Sequence, residues 1–403
     1  MPANETRSVI IAGAGIAGLT AALAFSRRGF SVHLFEQASH IESSGAGIQL
    51  SPNATRILDR LGVLSPLRAK AIQPQAVVLK DATTLRELAK VPLGEAAEMR
   101  WHAPYLVIHR ADLQQALMAA ALDAPNIELT TGTPVRDIIA GPESVAVLAG
   151  DKAGKPVSGS LLIGADGVWS TVRGLCRNHA DSRFTDELAW RATIRADSAA
   201  GAAFFQIGAM HCVTAFLNGG FHLVAYPISA GAEISLVAFT PGERIADGPS
   251  GKAEPSILER ALRRAAPSLV DLIKTAGPWS TWPLHTVDAK AAWTASNIAL
   301  IGDAAHAMTP FAAQGAAMAI EDAETIANFV SSRPGDLPAA LQEWESVRRQ
   351  RVLRVIRRGA LNRLAWHAAG PVALARNLFL KSRSAENLVA DLDWLYGWGA
   401  SEN

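Results

Sequence analysis

Only two cysteines, Cys176 and Cys212, occur in 403 residues. That is too few for a disulfide framework and points to a reducing, cytoplasmic setting. Each is read as a small buried side chain rather than a reactive thiol. Long apolar runs are also missing: no stretch of about eighteen apolar residues occurs, which argues against a membrane span. Met1-Pro2-Ala3-Asn4-Glu5-Thr6-Arg7 has no apolar centre and does not read as a signal peptide. Nor is there an excess of one charge. The 38 Lys and Arg against 37 Asp and Glu leave a formal net charge of +1, which excludes a general nucleic-acid binder. No metal ligands are assigned, and no internal repeat or low-complexity segment is seen.

What remains is rich in core-forming residues. Apolar types make up 49% of the chain and charged types 19%, enough for a large interior. The length exceeds one ordinary core, so two closely joined domains are expected.

Three apolar segments run into small-residue turns. The first is Val9-Ile10-Ile11-Ala12, followed by Gly13-Ala14-Gly15-Ile16-Ala17-Gly18, an apolar helix and then Gly29 to Glu36. Gly13 permits a tight turn, Gly15 lets a backbone approach a pyrophosphate, and Gly18 allows helix and strand to pack closely. Glu36 closes the second strand, where a carboxylate can accept from both adenosine ribose hydroxyls. A lone GxGxxG is weak, but here a strand precedes it, a helix follows and the acid comes about twenty residues later. Gln37 follows the acid with no Arg or Lys nearby for a 2′-phosphate, which fits FAD or NAD better than NADP.

The second segment, Ser160 to Arg173, joins an apolar strand to the turn Gly164-Ala165-Asp166-Gly167. Asp-Gly is also a common turn pair. The third runs from Ala299 through Gly302-Asp303 and a small-residue loop to Gln314-Gly315, which opens an Ala-rich helix. This spacing places the Asp303 carboxylate at a strand's carboxyl end and a helix N-terminus at the same crevice. The carboxylate can hold ribityl hydroxyls, and the N-terminus favours the charge of a reduced flavin ring. An ordinary α/β crossover has the same element order.

In this order, and with Gly45-Ala46-Gly47-Ile48-Gln49-Leu50-Ser51-Pro52-Asn53-Ala54 and His109-Arg110-Ala111-Asp112-Leu113, the segments resemble a known family. The chain is similar to class A FAD-dependent aromatic monooxygenases of the p-hydroxybenzoate hydroxylase clan, most of all the salicylate hydroxylase and 6-hydroxynicotinate 3-monooxygenase branch. The likeness extends from residue 9 to about 395. It implies an α/β fold with a Rossmann-like FAD-binding domain, an interleaved antiparallel β-sheet substrate domain and a long C-terminal helix. The FAD-binding domain is expected at 1–70, 100–180 and 297–340, the substrate domain at 71–99 and 181–296, and a C-terminal helical segment at 341–403.

The resemblance also implies the chemistry. NADH or NADPH, as a transient co-substrate, reduces FAD; O2 adds at the flavin C4a atom; the hydroperoxide passes OH to a small phenolic or N-heteroaromatic ring. Gly13, Gly15, Ala17 and Gly18 would hold the pyrophosphate region and Glu36 the ribose. Arg110 would meet FAD phosphate or ribityl oxygens, Asp303 the ribityl chain, and the backbone at Gly315 and Ala316 the flavin N1 and O2. The segment Gly45–Ile48, with Gly47, would flank the isoalloxazine, and Pro310 would lie near C4a. Asp166 and Arg173 would contribute to FAD and nicotinamide binding. Phe311-Ala312-Ala313 would help exclude water. Ala313 stands where many relatives have Gly, as in the salicylate hydroxylase branch.

A base that deprotonates the ring hydroxyl would speed its attack, and a histidine suits that task. His222, on the expected strand Phe221–Ile228, is the first candidate. Tyr226 and His211 follow, and each also reads as an ordinary core or surface side chain. His306 is read as orienting the Gly-Asp loop. Arg191 or Arg195 would bind a substrate carboxylate or else lie on the surface. The Arg-rich stretch Leu341–Trp366 is read as a helix with an exposed basic face packed across both domains, in preference to a lipid-docking helix. Residues 391–399 read as an apolar tail that docks. The expected partners are an aromatic substrate, NAD(P)H and O2, with no nucleic acid, in a monomer or homodimer.

Other readings stay open. A hydroxylase of larger polyketide or tetracycline-like substrates would share the motifs, and a non-catalytic flavin-binding interaction module would too. A flavin halogenase lacks its Trp-x-Trp-x-Ile-Pro signature here. A disulfide reductase would need a redox cysteine pair and a second GxGxxG unit, neither of which is present.

Overall fold

The computed structural model describes residues 7–40, 46–141, 143–150, 155–176, 180–244 and 255–399. Ser8–Ala12 is apolar on both faces because one packs on the helix Ile16–Ser26 and the other on a three-stranded sheet of Val157–Gly159, Val145–Ala149 and Val135–Ala140; Val9, Ile10 and Ile11 are fully buried. The six-stranded sheet runs in the order Thr294–Ala295, Ile298–Leu300, Leu161–Gly164, Ser8–Ala12, Ser31–Phe35, Ile127–Thr130. All pairs are parallel except the first. The three turn motifs therefore leave neighbouring strands at the same, carboxyl edge, where ligands of open α/β sheets bind.

The second sheet has seven strands in the order Ser280–Thr286, Arg183–Arg195, Glu233–Pro241, Phe221–Ile228, Cys212–Asn218, Ala76–Asp81, Glu87–Pro92. It is antiparallel apart from the pairing of Cys212–Asn218 with Ala76–Asp81. Alternation sends Phe221, Leu223 and Ala225 into a core under the helices Ala199–Ile207 and Pro267–Thr275. Val224 and Tyr226 point the opposite way, toward the first domain. The strands Cys212–Asn218, Glu87–Pro92 and Ser280–Thr286 were not expected. Cys212–Asn218 is buried along nearly its whole length, so it shows no period-two pattern.

The long helix spans Leu337–Trp366, starting four residues earlier than expected because Asp336 caps it by accepting from Ala339 N–H at 3.1 Å. Its expected exposed basic face is overturned at two positions. Arg348 is fully buried and Arg351 nearly so, both paired with Glu321 on the helix Gly315–Ser332. The tail docks as expected: Arg351 donates to the carbonyls of Trp394 and Leu395, and Tyr396 packs edge-on against Trp101. Cys212 is buried and Cys176 half-buried, with burial raising both thiols, so neither is a reactive thiolate.

Candidate active site

A cavity of about 720 Å³ lies between the two sheets. One end is walled by two helix N-termini, Gly15-Ile16-Ala17 opening Ile16–Ser26 and Gly315-Ala316 opening Gly315–Ser332. Neither has a side-chain cap or an acid in its first turn, so both positive ends face the cavity uncompensated. A Cβ built on Gly15 or Gly315 meets nothing within 4 Å, which leaves room for a group against the bare backbone. Asp303 and Arg110 line the same end, and neither has an ion-pair partner among the described residues.

Gly13 and Gly18 act behind this surface. Gly13 has φ 101°, and a Cβ on Gly18 would lie 1.8 Å from the Gly13 carbonyl oxygen. Glu36 does not line the cavity; its carboxylate accepts from Ala14 N–H at 2.7 Å and Ala38 N–H at 2.9 Å, which holds the first turn against the second strand. Asp166 is likewise taken up locally, accepting from Ser170 Oγ and from Val172 N–H at 3.0 Å. Arg173 is buried and donates to the carbonyls of Ala304 and Val168, clamping the Asp166 turn to the Asp303 turn.

A buried network fixes the third motif from below. Asp322 Oδ2 accepts from Gly302 N–H at 3.0 Å and lies 2.6 Å from His306 Nε2, so His306 sits in the role expected of a loop-orienting group. Burial alone would raise the Asp322 carboxyl, but His306, Arg348 and the Gly302 amide hold it down at about 2. Asn53 donates to Gln314 Oε1 at 3.2 Å and Glu321 Oε1 at 2.7 Å, locking the residue before the Gly315 helix.

The strand Gly47–Leu50 crosses between the two ends. Gly47 N–H donates to Ser235 Oγ at 3.0 Å, and a Cβ there would lie 2.5 Å from Tyr226 Cε2. Ala46 to Gln49 line the cavity, whereas Gly45 lies outside the described residues. Pro310, Phe311, Ala312 and Ala313 line it from the other side.

Beyond them the cavity becomes apolar, with Val77, Leu79, Val91, Val213 and Val224 around Gln49, Tyr105, Arg191 and Tyr226, while Arg358, Asn362, Arg376, Asp391 and Tyr396 line it from the C-terminal helices. Tyr105 Oη donates to Gln49 Oε1 at 2.6 Å. Burial pushes Tyr226 up to about 12 against the pull of Ser235, Arg191 and Gln49, and it raises Tyr105 well above the usual range. Both stay neutral phenols able to donate. Arg191 is brought down to about 10 by burial and by Arg110, with Tyr226 opposing, and remains a cation at neutral pH. Arg195 is exposed and paired with Asp197, and His211 is exposed; neither lines the cavity.

His222 shares the face of Val224 and Tyr226 but is fully buried at the wall rather than among the lining residues. Its ring lies 4.5 Å from Phe239, 5.2 Å from Phe311 and 5.0 Å from Trp366, all three of which line the cavity. Its Nδ1 is 2.8 Å from His367 Nε2, while its Nε2 is buried without a partner among the described residues. Burial, then His367, lowers its pKa well below the usual value. Tyr105 and His367 were missed in the sequence. Tyr105 stood in an expected strand with no motif to mark it, and His367 follows a helix end in an unpatterned stretch.

Two unblocked helix ends, the bare Gly15 backbone, and the Asp303 carboxylate and Arg110 guanidinium, without ion-pair partners among the described residues, make one edge of the cavity fit FAD. The comparisons agree. The family model described as FAD binding domain matches residues 6–358. The chain is 34% identical to a 3-hydroxybenzoate 6-hydroxylase of Polaromonas naphthalenivorans, covering 97% of this chain and 96% of that one. It is 33% identical to a 6-hydroxynicotinate 3-monooxygenase of Bordetella bronchiseptica, over 87% and 89%. Its fold matches Klebsiella pneumoniae HpxO complexed with FAD and uric acid, with a TM-score of 0.82, 23% identity and coverage of 96% and 95%. A 6-hydroxynicotinate 3-monooxygenase is thus among the relatives, as expected, and the 3-hydroxybenzoate enzyme, not named from the sequence, matches over more of the chain. The chain belongs to the FAD-binding-domain family and is a class A flavoprotein monooxygenase.

Proposed function

We propose that this enzyme hydroxylates a small phenolic or N-heteroaromatic acid, such as a hydroxybenzoate, salicylate or hydroxynicotinate, using NADH or NADPH and O2. The observation that carries the reading is the pairing, in one cavity, of an anion-accepting end with an apolar chamber that presents the neutral phenols of Tyr105 and Tyr226 and the Arg191 cation. Named relatives act on rings of this kind.

When bound, FAD supplies the redox and oxygen-activating chemistry. Gly15, Ala17, Arg110, Asp303, Gly315 and Ala316 hold it, and Gly47 and Pro310 flank the ring. Gly13, Gly18, Glu36 and Asp166 shape the turns that carry these groups. Arg191 takes the substrate carboxylate, a charge-assisted contact in a low-dielectric chamber. Tyr226 donates to a ring substituent, while Tyr105, donating to Gln49, holds that amide beside the ring, and together they orient the carbon to be attacked. His222 takes the ring hydroxyl proton, making the ring more nucleophilic. Phe311, Ala312 and the valines exclude water. We assign residues 1–70, 100–180 and 297–340 to the FAD-binding part, 71–99 and 181–296 to the substrate part and 341–403 to the C-terminal segment. We also assign the enzyme to the cytoplasm, as a monomer or homodimer; among the described residues no helix is long and apolar enough to cross a membrane.

A second reading has an observation of its own. The cavity continues beneath the C-terminal helices to Leu380, Leu388 and Leu392, which is room for a larger ring system. The test is NADH and NADPH consumption by the yellow holoenzyme with salicylate, hydroxybenzoates, hydroxynicotinates and polycyclic phenols, products identified by mass. Oxygenated small-acid product supports the first reading, oxygenated polycyclic product alone the second. Stimulated oxidation without oxygenated product from any compound overturns both.

A further inference from the structure

We propose that His367 is the outward half of a two-histidine proton wire, carrying to solvent the proton that His222 takes from the ring hydroxyl. The proposal rests on the hydroxylase reading and on His222 as its base, and it adds the exit route.

Three observations carry it. The imidazoles meet at 2.8 Å, Nδ1 of His222 to Nε2 of His367, with His222 fully buried and His367 half-buried. His222 Nε2 has no partner among the described residues although it is enclosed, next to rings that line the cavity. A buried nitrogen left unpaired is costly unless a ligand or water answers it. Finally, the contact is built by backbone approach. Gly219, in the hairpin leading to His222, packs so closely on Ala369 that a Cβ would lie 2.7 Å from the Ala369 Cβ. That close fit holds the end of the long helix, where His367 is the C-cap, against the strand carrying His222.

One tautomer serves the wire. His222 Nδ1–H donates to His367 Nε2, His367 keeps its proton on Nδ1, and His222 Nε2 presents a lone pair. Once the bound ring shifts the side chains of Phe311 and Trp366 that cover His222, the substrate O–H bond breaks as a bond forms from that proton to His222 Nε2. The proton on His222 Nδ1 passes to His367 Nε2, and the Nδ1 proton of His367 leaves to water. One proton leaves the substrate, one reaches solvent, and both rings end neutral with their protons shifted. The charged neighbour that faces the pair is Arg363, which depresses His367 and is itself paired to Glu187. A cation at this place discourages a proton from resting on His367 and favours passage through it.

His367 is thus a positioning and relay residue, and its test needs a readout that mere packing would not move. In the FAD-loaded enzyme, His367→Gln and His367→Phe are compared with wild type for proton release on substrate binding, followed with a pH indicator in stopped flow. Release and product formation are expected to slow about 10- to 100-fold, with substrate Kd and flavin content unchanged and added imidazole partly restoring release in His367→Ala. Release at the wild-type rate in both variants overturns the wire. Should the variants fail to fold, a proton inventory on wild-type release decides: a curved dependence on deuterium fraction supports two protons in flight, and a linear one overturns it. If His222→Gln releases the proton normally, the base reading itself fails. If His222→Gln is impaired and the His367 variants are not, only the wire fails.

Discussion

Arg348 Nε lies 2.8 Å from Asp322 Oδ1, with both side chains shut off from solvent. The same guanidinium reaches Glu321 Oε2 at 2.6 Å, and Asp322 in turn holds Gly302 and His306. The long C-terminal helix therefore anchors the turn that presents Asp303 to the cavity.

Replacing Arg348 by Met should be severe, because two carboxylates would stay buried with too little positive charge. Breaking such a pair costs about 3–5 kcal/mol, to be read from urea unfolding of the purified protein. Arg333, exposed and paired with the exposed Glu343, is the control. Arg333→Met should cost under about 1 kcal/mol. Equal small losses in both variants would show that the network does not hold the helix.

The histidine pair predicts a pH dependence. His367 is held down at about 4 by burial and then Arg363, and burial, then His367, lowers His222 well below its usual value. Unfolded histidine titrates near 6.5. The unfolded chain therefore takes up protons between about pH 6.5 and 4 that the folded chain refuses. Stability from this source is complete above about pH 6.5 and is lost as pH falls toward 4. Tm should drop over that interval in wild type and drop less in a His222→Gln/His367→Gln double variant. The same slope in both would place these histidines outside the acid response.

Gly15 and Gly18 should separate cofactor binding from folding. A Cβ on Gly18 strikes the Gly13 carbonyl oxygen, whereas one on Gly15 enters open space. Gly18→Ala is expected to lower Tm with or without flavin. Gly15→Ala should leave the apoprotein's Tm alone and weaken FAD retention on gel filtration. Asp303→Ala should resemble Gly15→Ala, since its carboxylate supports no other part of the chain. Full flavin content in Gly15→Ala and Asp303→Ala would sink the assigned FAD orientation.

Much of this was legible in the sequence where local pattern and local geometry coincide. The strand at 221–228 matches the expectation because it carries its own boundary chemistry. Gly15, Asp303, Pro310 and Tyr226 meet in one cavity, as the motif order suggested. Glu36 and Asp166 show what motifs hide: their carboxylates are occupied by backbone and side-chain donors of their own turns. The burial of Arg348 was not legible, because its partners sit 26 and 27 residues away and the run of arginines reads as a solvated face. His367 was hidden for the same reason, its partner lying 145 residues upstream.

Arg191 gives the sharpest test of substrate class. It is the cation on the substrate sheet beside Tyr226, whereas Arg110 stands at the cofactor end, Arg358 and Arg376 line the cavity from the C-terminal helices, and Arg195 is tied to Asp197 outside. A charge-assisted hydrogen bond is worth about 1.5–3 kcal/mol, so Arg191→Met should raise KM for a carboxylated ring roughly 10- to 100-fold. The same variant should handle the matching phenol without a carboxylate almost as wild type does, because nothing in that ring calls on the guanidinium. Arg110→Met should instead release flavin and depress turnover of both. Were Arg191→Met to lose both substrates equally, the arginine would be serving the shape of the site, and the carboxylate would have to find its cation elsewhere.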